Sequence, residues 1–491
     1  MADTKTPTVH ASSAQGPLSR MAQAKLLWTL ATKLPLAVES AIMHVLGLSE
    51  PSRYLDLRSE LIVVILRALL QPSRPRSISV SQRLSIGNHP IKGRLWVSTY
   101  VASPPPETSV RDELIEAIYS MRDKNHPKTH VPVPDLSPVE AEWTGFRAAA
   151  SQGDPLPVMS EGEKYREMMK ECTRPSTVLY FHGGAYYLCD PSTHRPVAAK
   201  LAELTGGRCY SVRYRLAPRD PFPAALQDAL ISYLTLLYPP PDAYHEPVPP
   251  EHIVFAGDSA GGNLALALLQ LVLELRRRES LILWHGEIRE VPLPAGVACT
   301  SPWLDLTQSD PQWDEASPTP FDYLPKPAAM RRAKIPPCDA WPASPPRTHL
   351  YADDDLIAHP LVSLVMAHSW KGAPPVYINT GWEILSPEDL WLARKLYDEG
   401  VTVVLEEYEA MPHVFPMILQ STHNARRCFQ GWASFISTAT TQEDIRSSAM
   451  TIRAKTLEEV PLRFEDLQTV TEAEMRERVA FKVALDLKTN L

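Results

Sequence analysis

The stretch VFAGDSAGGNLALALLQLVLEL, residues 254–275, decides the fold of this chain. It opens with a short apolar run typical of a buried strand and continues with the apolar spacing of a helix. Between them, residues 257–261 read GDSAG, a Gly-x-Ser-x-Gly match at a strand-to-helix turn. The turn is so tight that side chains in place of its glycines would collide with the neighbouring strand or helix. The pattern predicts a nucleophile elbow that presents the hydroxyl of Ser259; the alternative is an ordinary serine in a turn.

An unassisted serine hydroxyl is a poor nucleophile, so Ser259 needs a histidine that removes its proton. In the elbow architecture the chain order is nucleophile, then acid, then histidine. Six histidines follow Ser259, and His413, in EEYEAMPHVFP, is the one in a loop directly after the last predicted strand. We therefore predict His413 as the catalytic base.

The acid is expected after the penultimate strand, PPVYINTG, where GWEILSPEDL offers Glu383, Glu388 and Asp389. SPED provides a helix start, with serine as N-cap and proline at N1, so Glu388 and Asp389 have a structural explanation near the positive helix end. Glu383 lies between strand and helix, where its carboxylate can orient the histidine. We predict Glu383 as the acid, with its two neighbours as the alternatives.

The strand STVLY is followed by FHGGAYYLCD, residues 181–190, in a chain with only 20 glycines among 491 residues. When the serine attacks an acyl carbon, the carbonyl oxygen becomes an oxyanion that needs preorganised backbone N–H donors. Glycine lets the backbone approach closely, so Gly183 and Gly184 are predicted donors, with Ala260, the residue after the nucleophile, as another. His182 precedes the serine and is expected to brace this loop rather than to act as the base.

Short strand patterns alternate with helical patterns from about residue 140 onward. The predicted strands lie in VEAEWTGF, STVLYFHGG, RCYSVRYRL, HIVFAGDSAGG, LPAGVACTSPW, PVYINTGWE and VTVVLEEYEA. This alternation predicts the α/β class, with a mostly parallel central sheet and helices on both of its faces. We expect a disordered N-terminus over 1–20, a helical lid and connecting segment over 21–139, the catalytic domain over 140–440 and a helical C-terminal extension over 441–491.

Two apolar helical patterns, residues 24–48 and 57–70, precede the alternating region, and their apolar faces need a partner. We expect them to roof the active site as a lid, because a helix that lies on lipid usually carries a basic polar face. The alternative is peripheral contact with a membrane surface. The apolar run LIVVILRALL contains Arg67 and is about half the length that a transmembrane helix needs, so no membrane span is predicted.

Charge and cysteine content argue against several functional classes. The net charge is −8 and the longest basic block is RRR at 276–278, which argues against a nucleic-acid-binding surface. The six cysteines show no C-x-x-C pair and no zinc-type spacing, so neither a disulfide framework nor a metal site is predicted. Residues 1–20 lack the apolar core of a secretory signal. We expect a cytoplasmic protein, free or peripheral on an intracellular membrane, that needs no cofactor.

Five motifs occur in a characteristic order, namely FHGGAYYLCD, YRLAPRDPFPAALQDAL, GDSAGGNLA, GWEILSPED and MPHVF. With them, residues 140–435 resemble the hormone-sensitive-lipase family of α/β-hydrolases, which includes arylacetamide and steryl deacetylases, and are most similar to its fungal members. The resemblance implies the α/β-hydrolase fold, an esterase for short to medium acyl groups on apolar alcohols, and a lid of N-terminal helices and the segment after LPAGVACTSPW. Ala185 stands in place of the family's third oxyanion-loop glycine, and Glu383 stands where Asp is usual, an exchange that the mechanism tolerates.

Together these residues predict a serine carboxylester hydrolase that forms an acyl-enzyme intermediate with an apolar small-molecule ester. Within the same chemistry, an acyltransferase results if a lid excludes water and an alcohol or amine intercepts the acyl-enzyme. From another class, a non-catalytic ligand-binding protein can share this fold, although such proteins typically lack a triad residue. Trp303, Phe321 and Tyr323 are candidates for the substrate pocket, with a core position as the alternative for each. The acidic run 353–355 is expected to be a solvated loop rather than a cation site.

Overall fold

The structure of the chain is a computed structural model. It describes residues 31–71, 75–86, 90–122, 130–315, 319–326, 335–468 and 470–489, with the side chains of the last helix described up to residue 486. The predicted disordered N-terminus over 1–20 lies outside the described residues, and the predicted helical pattern over 24–48 is described from residue 31 onward.

Ten strands form one central sheet in the described part of the chain, and a separate hairpin pairs two more. The strands are β1 Leu95–Ala102, β2 Val139–Phe146, β3 Thr177–Phe181, β4 Arg208–Arg213, β5 Ile253–Asp258, β6 Ile282–Trp284, β7 Glu287–Arg289, β8 Gly296–Thr300, β9 Val376–Gly381, β10 Val403–Tyr408, β11 Ser448–Ile452 and β12 Glu459–Pro461. The order across the sheet is β1-β2-β4-β3-β5-β8-β9-β10-β11-β12. The strands from β4 to β11 in this order run parallel, and β1, β2 and β12 are antiparallel additions at the edges. The predicted α/β class with a mostly parallel sheet is confirmed.

Helices connect the parallel strands and extend the chain at both ends. They are α1 Leu34–Val45, α2 Leu57–Leu70, α3 Ile78–Ser85, α4 Ser109–Ser120, α5 Glu161–Glu171, α6 Pro191–Thr205, α7 Ala224–Leu237, α8 Ala260–Arg277, α9 Ser386–Asp398, α10 Phe415–Ile418, α11 His423–Thr440 and α12 Glu472–Thr489. Short 3₁₀ turns occur at Pro51–Arg53, Pro250–His252, Pro311–Trp313, Leu364–Met366 and Phe464–Asp466.

Two apolar cores lie on opposite faces of the sheet. Side chains alternate along each strand, so Leu179 and Phe181 of β3 pack into the larger core with α4, α7, α8 and α9. Val178 and Tyr180 point the other way and pack into the smaller core with α6 and α11. Because helices cover both faces, as predicted, every position of β3 is buried.

Two regions differ from the sequence prediction. β1 lies within 21–139, the region expected to be helical and connecting, and it pairs antiparallel with β2 along its full length. The C-terminal extension over 441–491 is predicted to be helical, but β11 and β12 add two strands to the sheet edge before α12 begins. β11 reads SAMTI, which is too short for alternation to stand out in a charged tail, and its strand conformation comes from pairing with β10.

The N-terminal helices lie in different environments. α2 packs its buried Val63 against Tyr323 and Val414, next to the loop after β10. Asp56 caps α2 by accepting the N–H of Ser59 at 2.7 Å. α1 lies on α2 but has no buried residue of its own. The lid role of these helices stays a prediction, and no helix within the described ranges combines the length and apolarity needed to cross a bilayer.

Candidate active site

Ser259 occupies the turn between β5 and α8, at the N-cap position of α8. Its backbone has φ 53° and ψ −122°, a conformation that is strained for a residue with a side chain. The N–H of Ser259 donates to the carbonyl of Thr300 at 3.0 Å, and its own carbonyl accepts from the N–H groups of Asn263 and Trp303, each at 3.0 Å. The predicted strand-turn-helix context of the GDSAG motif is therefore confirmed.

The glycines of this turn are required by close backbone approach. A Cβ on Gly257 would collide with the carbonyl oxygen of Gly261, and a Cβ on Gly261 would collide with that of Phe181. Neither collision can be relieved by rotating a side chain, because both involve backbone atoms. The start of α8 therefore lies close against β3 and β5, and this closeness holds Ser259 at the carboxyl edge of the sheet.

The loops after β9 and β10 bring Glu383 and His413 into contact. Nδ1 of His413 is hydrogen-bonded to Oε2 of Glu383, and each residue is only 3% exposed. The other carboxylate oxygen, Oε1, accepts from Oγ of Ser301, from Oγ1 of Thr380 at 3.1 Å and from the N–H of Gly381 at 3.2 Å. These donors hold the Glu383 carboxylate in one orientation toward the imidazole ring.

The surroundings of this pair favour its ionised form. Burial lowers the pKa of His413, but the charge and hydrogen bond of Glu383, joined by the charges of Asp322 and Asp258, outweigh burial and raise that pKa above its ordinary value of 6.5. Burial raises the pKa of Glu383, but the charge and hydrogen bond of His413 outweigh it and lower that pKa below its ordinary value. Glu383 is thus suited to stabilise an imidazolium that forms during a reaction.

The two alternative acids have other surroundings. Oε1 of Glu388 accepts the N–H of Leu304 at 2.6 Å, so this carboxyl supports the loop after β8. Asp389 is fully buried in the first turn of α9. Burial raises the pKa of both carboxyls well above their ordinary range, and the charge of Glu383 raises that of Asp389 further. Of the three candidates, Glu383 is the one in contact with His413.

The turn after β8 links the serine to the acid–base pair. Thr300 accepts the N–H of Ser259, and the next residue, Ser301, donates its hydroxyl to Glu383. The same hydroxyl oxygen accepts the N–H of Val414 at 3.2 Å. Because β5, β8, β9 and β10 are adjacent and parallel, their carboxyl ends meet at this place. The three predicted triad residues therefore come together at one edge of the sheet.

The loop after β3 carries two of the predicted oxyanion donors, and the N–H of one of them is hydrogen-bonded within the protein. The N–H of Gly183 donates to Oδ1 of Asp258 at 3.1 Å, and a Cβ on Gly183 would collide with the same carboxylate. The N–H of Gly183 is therefore occupied by Asp258, and the missing side chain leaves room for that carboxylate. This corrects the prediction that Gly183 is an oxyanion donor. Gly184 has φ 113°, a region that favours glycine, and Ala185 follows with φ 52°. Of the predicted donors, Gly184 and Ala260 remain, and Ala185, the next residue of the loop, is added as a candidate.

A buried network fixes the loop after β3. Asp258 accepts from the hydroxyl of Tyr180 at 2.6 Å and lies 3.3 Å from Nε2 of His194. His182 stacks on Tyr214 with ring centroids 4.3 Å apart, and the Tyr214 hydroxyl donates to the His182 carbonyl at 2.5 Å. Burial lowers the pKa of His182 to about 3, so its ring is neutral at pH 7. His182 braces this loop, as expected.

The aromatic pocket candidates divide between the site and the core. The ring centroid of Tyr323 lies 6.1 Å from that of His413. Phe321 packs on Trp382 at 5.7 Å within a buried cluster and therefore takes the core alternative. Trp303 is partly buried and packs against a small cluster of buried residues, Trp313, Ile384 and Leu385. Tyr323 is thus the candidate that lies directly beside the proposed base.

The acidic run 353–355 makes internal contacts. Asp354 accepts the N–H of Thr348 at 2.8 Å, and Asp353 forms an ion pair with Arg347 at 3.5 Å. Within the described ranges, no group of three or more His, Cys, Asp or Glu side chains is arranged to hold a metal ion. These carboxylates therefore hold their own loop together.

Sequence reasoning missed two residues beside the triad, Ser301 and Asp322. Ser301 follows the strand β8 without any motif, and its partners come from two other loops. Asp322 stands in FDYLP, between the pocket candidates Phe321 and Tyr323. A single acidic residue inside such an apolar run is a signal that it is buried and hydrogen-bonded.

Comparisons with known proteins identify the fold. A family model described as the α/β-hydrolase fold matches residues 178–417. An acetyl-hydrolase of Streptomyces hygroscopicus is 32% identical over 269 residues, which are 54% of this chain and 76% of that protein. Lipase 2 of a Moraxella species is 26% identical over 307 residues, 57% of this chain and 64% of the lipase. A crystal structure of a double mutant of the esterase E40 superposes with a TM-score of 0.50 at 22% identity, covering 78% of this chain and 97% of that one, and confirms the fold.

Proposed function

Because this chain belongs to the α/β-hydrolase family and is a carboxylic ester hydrolase, we propose that Ser259, His413 and Glu383 form its catalytic triad. The observation that carries the proposal is the contact between Nδ1 of His413 and the Glu383 carboxylate, beside the strained turn of Ser259. With Nδ1 bonded to the acid, Nε2 is the ring atom that takes the proton of the serine.

Acylation begins when Oγ of Ser259 attacks the carbonyl carbon of the ester while its proton passes to Nε2 of His413. The carbonyl oxygen becomes an oxyanion, and the backbone N–H groups of Gly184, Ala185 and Ala260 are the proposed donors to it. The tetrahedral intermediate then expels the alcohol oxygen, which takes the proton from the imidazolium. The products of this half-reaction are the free alcohol and an ester between the acyl group and Ser259.

Deacylation repeats these steps with water. Nε2 of His413 removes a proton from water, and the resulting hydroxide attacks the acyl carbon. The second tetrahedral intermediate releases Oγ of Ser259, which takes the proton back, and the carboxylic acid leaves. Glu383 stays ionised throughout and stabilises each imidazolium by its charge and its hydrogen bond. The cycle needs no cofactor.

The proposed substrate is an apolar small-molecule ester with a short to medium acyl group. Support comes from an apolar cluster next to the proposed base. Val63, Tyr323 and Val414 are buried in this cluster, and Leu66 and Leu324 pack against them. Apolar surroundings favour an apolar alcohol or acyl group by removing its surface from water. Hydrolysis rates for p-nitrophenyl esters from acetate to palmitate would test the range, with the highest kcat/KM expected at short to medium chains.

The triad is tested by labelling the purified protein with a fluorophosphonate probe and locating the modified residue by mass spectrometry. Wild type is expected to be labelled at Ser259, whereas Ser259→Ala and His413→Ala are expected to lose both labelling and ester hydrolysis. Ser434→Ala removes an exposed hydroxyl on α11 and serves as the matched control, which should react like wild type. Full hydrolysis by Ser259→Ala would overturn the proposal, and absence of labelling in a folded wild type would favour a ligand-binding protein.

We further propose that α1 docks on an anionic membrane surface. This helix has no buried residue, and its outward side chains are large and apolar, with Ile42 54% exposed and Val45 74% exposed. Two of its polar side chains face inward, where His44 and Ser40 contact the buried carboxyl of Glu60 on α2, while Glu39 is exposed. A helix whose large apolar side chains point outward is suited to an apolar partner.

Charge favours lipid as that partner. The segment 20–45 carries Arg20, Lys25 and Lys33 and one acidic side chain, Glu39, in a chain whose net charge is −8. Basic side chains next to an apolar helix face add attraction to anionic headgroups. The partner proposed here is therefore the surface of an anionic bilayer, with α1 lying in its interface.

Vesicle sedimentation tests the docking of α1. Wild type is expected to sediment with phosphatidylcholine vesicles that contain phosphatidylserine, and less with phosphatidylcholine alone. The double variant Ile42→Ser/Val45→Ser is expected to stay in the supernatant, while Leu283→Ser/Ile288→Ser, on the exposed hairpin of β6 and β7, should sediment like wild type. Equal sedimentation of the two double variants would overturn the docking proposal.

We propose a cytoplasmic location because the cysteines are free. All six cysteines of the chain are free thiols in the structure, and none forms a disulfide. Reduced thiols are typical of a reducing compartment such as the cytosol. Fractionation of cells that express the full chain would test this, with the enzyme expected in the cytosol and on the cytosolic side of membranes.

A further inference from the structure

Asp322 lies between the loops that carry Glu383 and His413, and it is only 3% exposed. Its Oδ1 accepts the N–H of Tyr323 at 2.7 Å and that of His413 at 3.4 Å. Its Oδ2 accepts the N–H of Ile384 at 2.9 Å, and Ile384 directly follows Glu383 in the chain. One carboxylate therefore joins the backbone of the proposed base to the backbone next to the proposed acid.

Burial and the charge of Glu383 raise the pKa of Asp322 above its ordinary value, while His413 and the backbone N–H donors favour the ionised form. The contacts themselves match an ionised carboxylate. Every named partner of Asp322 is an N–H donor, and a carboxylate has acceptor atoms alone. An asparagine of the same shape has one oxygen and one NH₂ group, so it can accept on one side and faces a second donor on the other. Asparagine at this position would therefore leave the buried N–H of either Ile384 or His413 without this acceptor.

Arg67 of α2 holds the segment that carries Asp322. Its Nε donates to the carbonyl of Asp322 at 2.9 Å, and its Nη2 donates to the carbonyls of Thr319 at 2.8 Å and Pro320 at 3.0 Å. The planar guanidinium presents these donors in a fixed fork, which a lysine ammonium cannot reproduce. α2 is thus fastened by one side chain to a segment more than 250 residues further along the chain.

We propose that Asp322 is a positioning residue for the triad and that Arg67 keeps it in place, so that α2 takes part in aligning the catalytic groups. Asp322 acts through the backbone N–H groups of Ile384 and His413 and touches no substrate. The inference rests on the triad proposed above. It gives the N-terminal helix a role in the rate of the reaction, separate from any role as a cover.

The charge of Asp322 provides a readout that packing alone would not change. His413 is faced by the carboxylates of Glu383 from the loop after β9, of Asp322, and of Asp258 at the end of β5, with the Tyr323 ring beside it. Burial lowers the pKa of His413 and these charges raise it. Removing the charge of Asp322 therefore lowers that pKa and moves the acid limb of kcat/KM to lower pH.

The test compares wild type with Asp322→Asn and Arg67→Lys in ester hydrolysis over a range of pH. Asp322→Asn is expected to lower kcat about a hundredfold, because a small misplacement of catalytic groups costs that much, with little change in KM. Its acid limb should move to lower pH. Arg67→Lys keeps the charges around His413, so it should lower kcat to a smaller extent without moving the acid limb.

Asp305→Asn is the matched control. Asp305 is also 3% exposed and also accepts backbone N–H groups, those of Thr307 at 3.0 Å and Ser309 at 2.7 Å, but both bonds stay within its own loop. This variant is expected to lose stability in thermal unfolding while it keeps the pH profile of wild type. Circular dichroism of each variant establishes that it is folded before rates are compared.

Wild-type kcat and an unmoved acid limb in a folded Asp322→Asn would overturn the inference. If that variant does not fold, Arg67→Lys decides: unchanged kcat overturns the role of α2, and lowered kcat in a folded protein supports it. Failure of the triad itself has a different signature, since wild type would then not be labelled at Ser259 by the fluorophosphonate.

Discussion

The carboxyl ends of the central strands and the two N-terminal helices contribute to the same site in different ways. At the strand ends, Ser259, Glu383 and His413 lie in turns, and hydrogen bonds to neighbouring loops hold each of them. The helices reach this place through a few side chains, chiefly Val63 and Arg67 of α2. The proposed reacting groups therefore lie where many hydrogen bonds and packing contacts coincide, and the parts that surround them depend on a few long-range contacts.

This difference predicts two kinds of mutational effect. A substitution at a strand end displaces reacting atoms, so it should reduce the rate strongly even when the protein stays folded. A substitution in a helix mostly removes packing, so it should act on stability by a modest amount. The predictions below follow this order, from the strand ends to the helices.

Glu383→Gln should have the largest effect among variants that spare the nucleophile and the base. The amide keeps the shape but lacks the charge that orients and stabilises the imidazolium, and loss of that carboxylate in a serine triad lowers kcat about 10⁴-fold. Steady-state hydrolysis of a p-nitrophenyl ester measures the change. Asp389→Asn is the control on the same connection, because its raised pKa favours the neutral acid that asparagine imitates. Equal losses in both variants would mean that Glu383 is not the orienting acid.

Gly183→Ala should have the next largest effect. The added methyl would collide with the Asp258 carboxylate, so the loop after β3 must move and take the proposed oxyanion donors with it. We expect kcat/KM to fall about a hundredfold, as for misplacement of catalytic groups. Gly153→Ala is the control, because a Cβ there meets open space. A rate near that of wild type in Gly183→Ala would show that the loop tolerates displacement.

The pH dependence tests the electrostatics of the strand ends. Base catalysis needs neutral His413, and the surrounding carboxylates raise its pKa above 6.5. We expect kcat/KM to fall about tenfold per pH unit on the acid side, with a midpoint above 6.5. Burial lowers the pKa of His182 to about 3, so that ring stays neutral over the same range. A midpoint at or below 6.5 would mean that Glu383 and its neighbours do not raise the pKa of the base.

The strand ends were largely predictable from sequence, and the reason is local. GDSAG and HGG fix backbone geometry within a few residues, and chain order then points to His413 and Glu383. The role of Gly183 was not predictable, because it depends on where the Asp258 carboxylate lies in space. For the same reason the sequence did not predict the roles of Asp322 and Ser301 or the strand β11. Each depends on partners from distant loops or strands rather than on its neighbours in the chain.

The smallest effects are expected in the helices, where α1 and α2 should differ from each other. Val63 of α2 is 2% exposed and Ile42 of α1 is 54% exposed. Val63→Ala should lower the free energy of unfolding by about 1 to 2 kcal/mol through lost burial and the cavity left behind. Ile42→Ala should change it by less than about 0.5 kcal/mol, because its side chain is not packed in the folded chain.

Urea denaturation of both variants, without vesicles present, makes this comparison direct. A loss for Ile42→Ala as large as that for Val63→Ala would show that the outer face of α1 is already covered in solution, by a second copy or by another part of the chain. Repeating the Ile42→Ala measurement at several protein concentrations separates these two cases, since stabilisation by a second copy grows with concentration. A negligible loss leaves that face uncovered in solution, as docking on a bilayer requires.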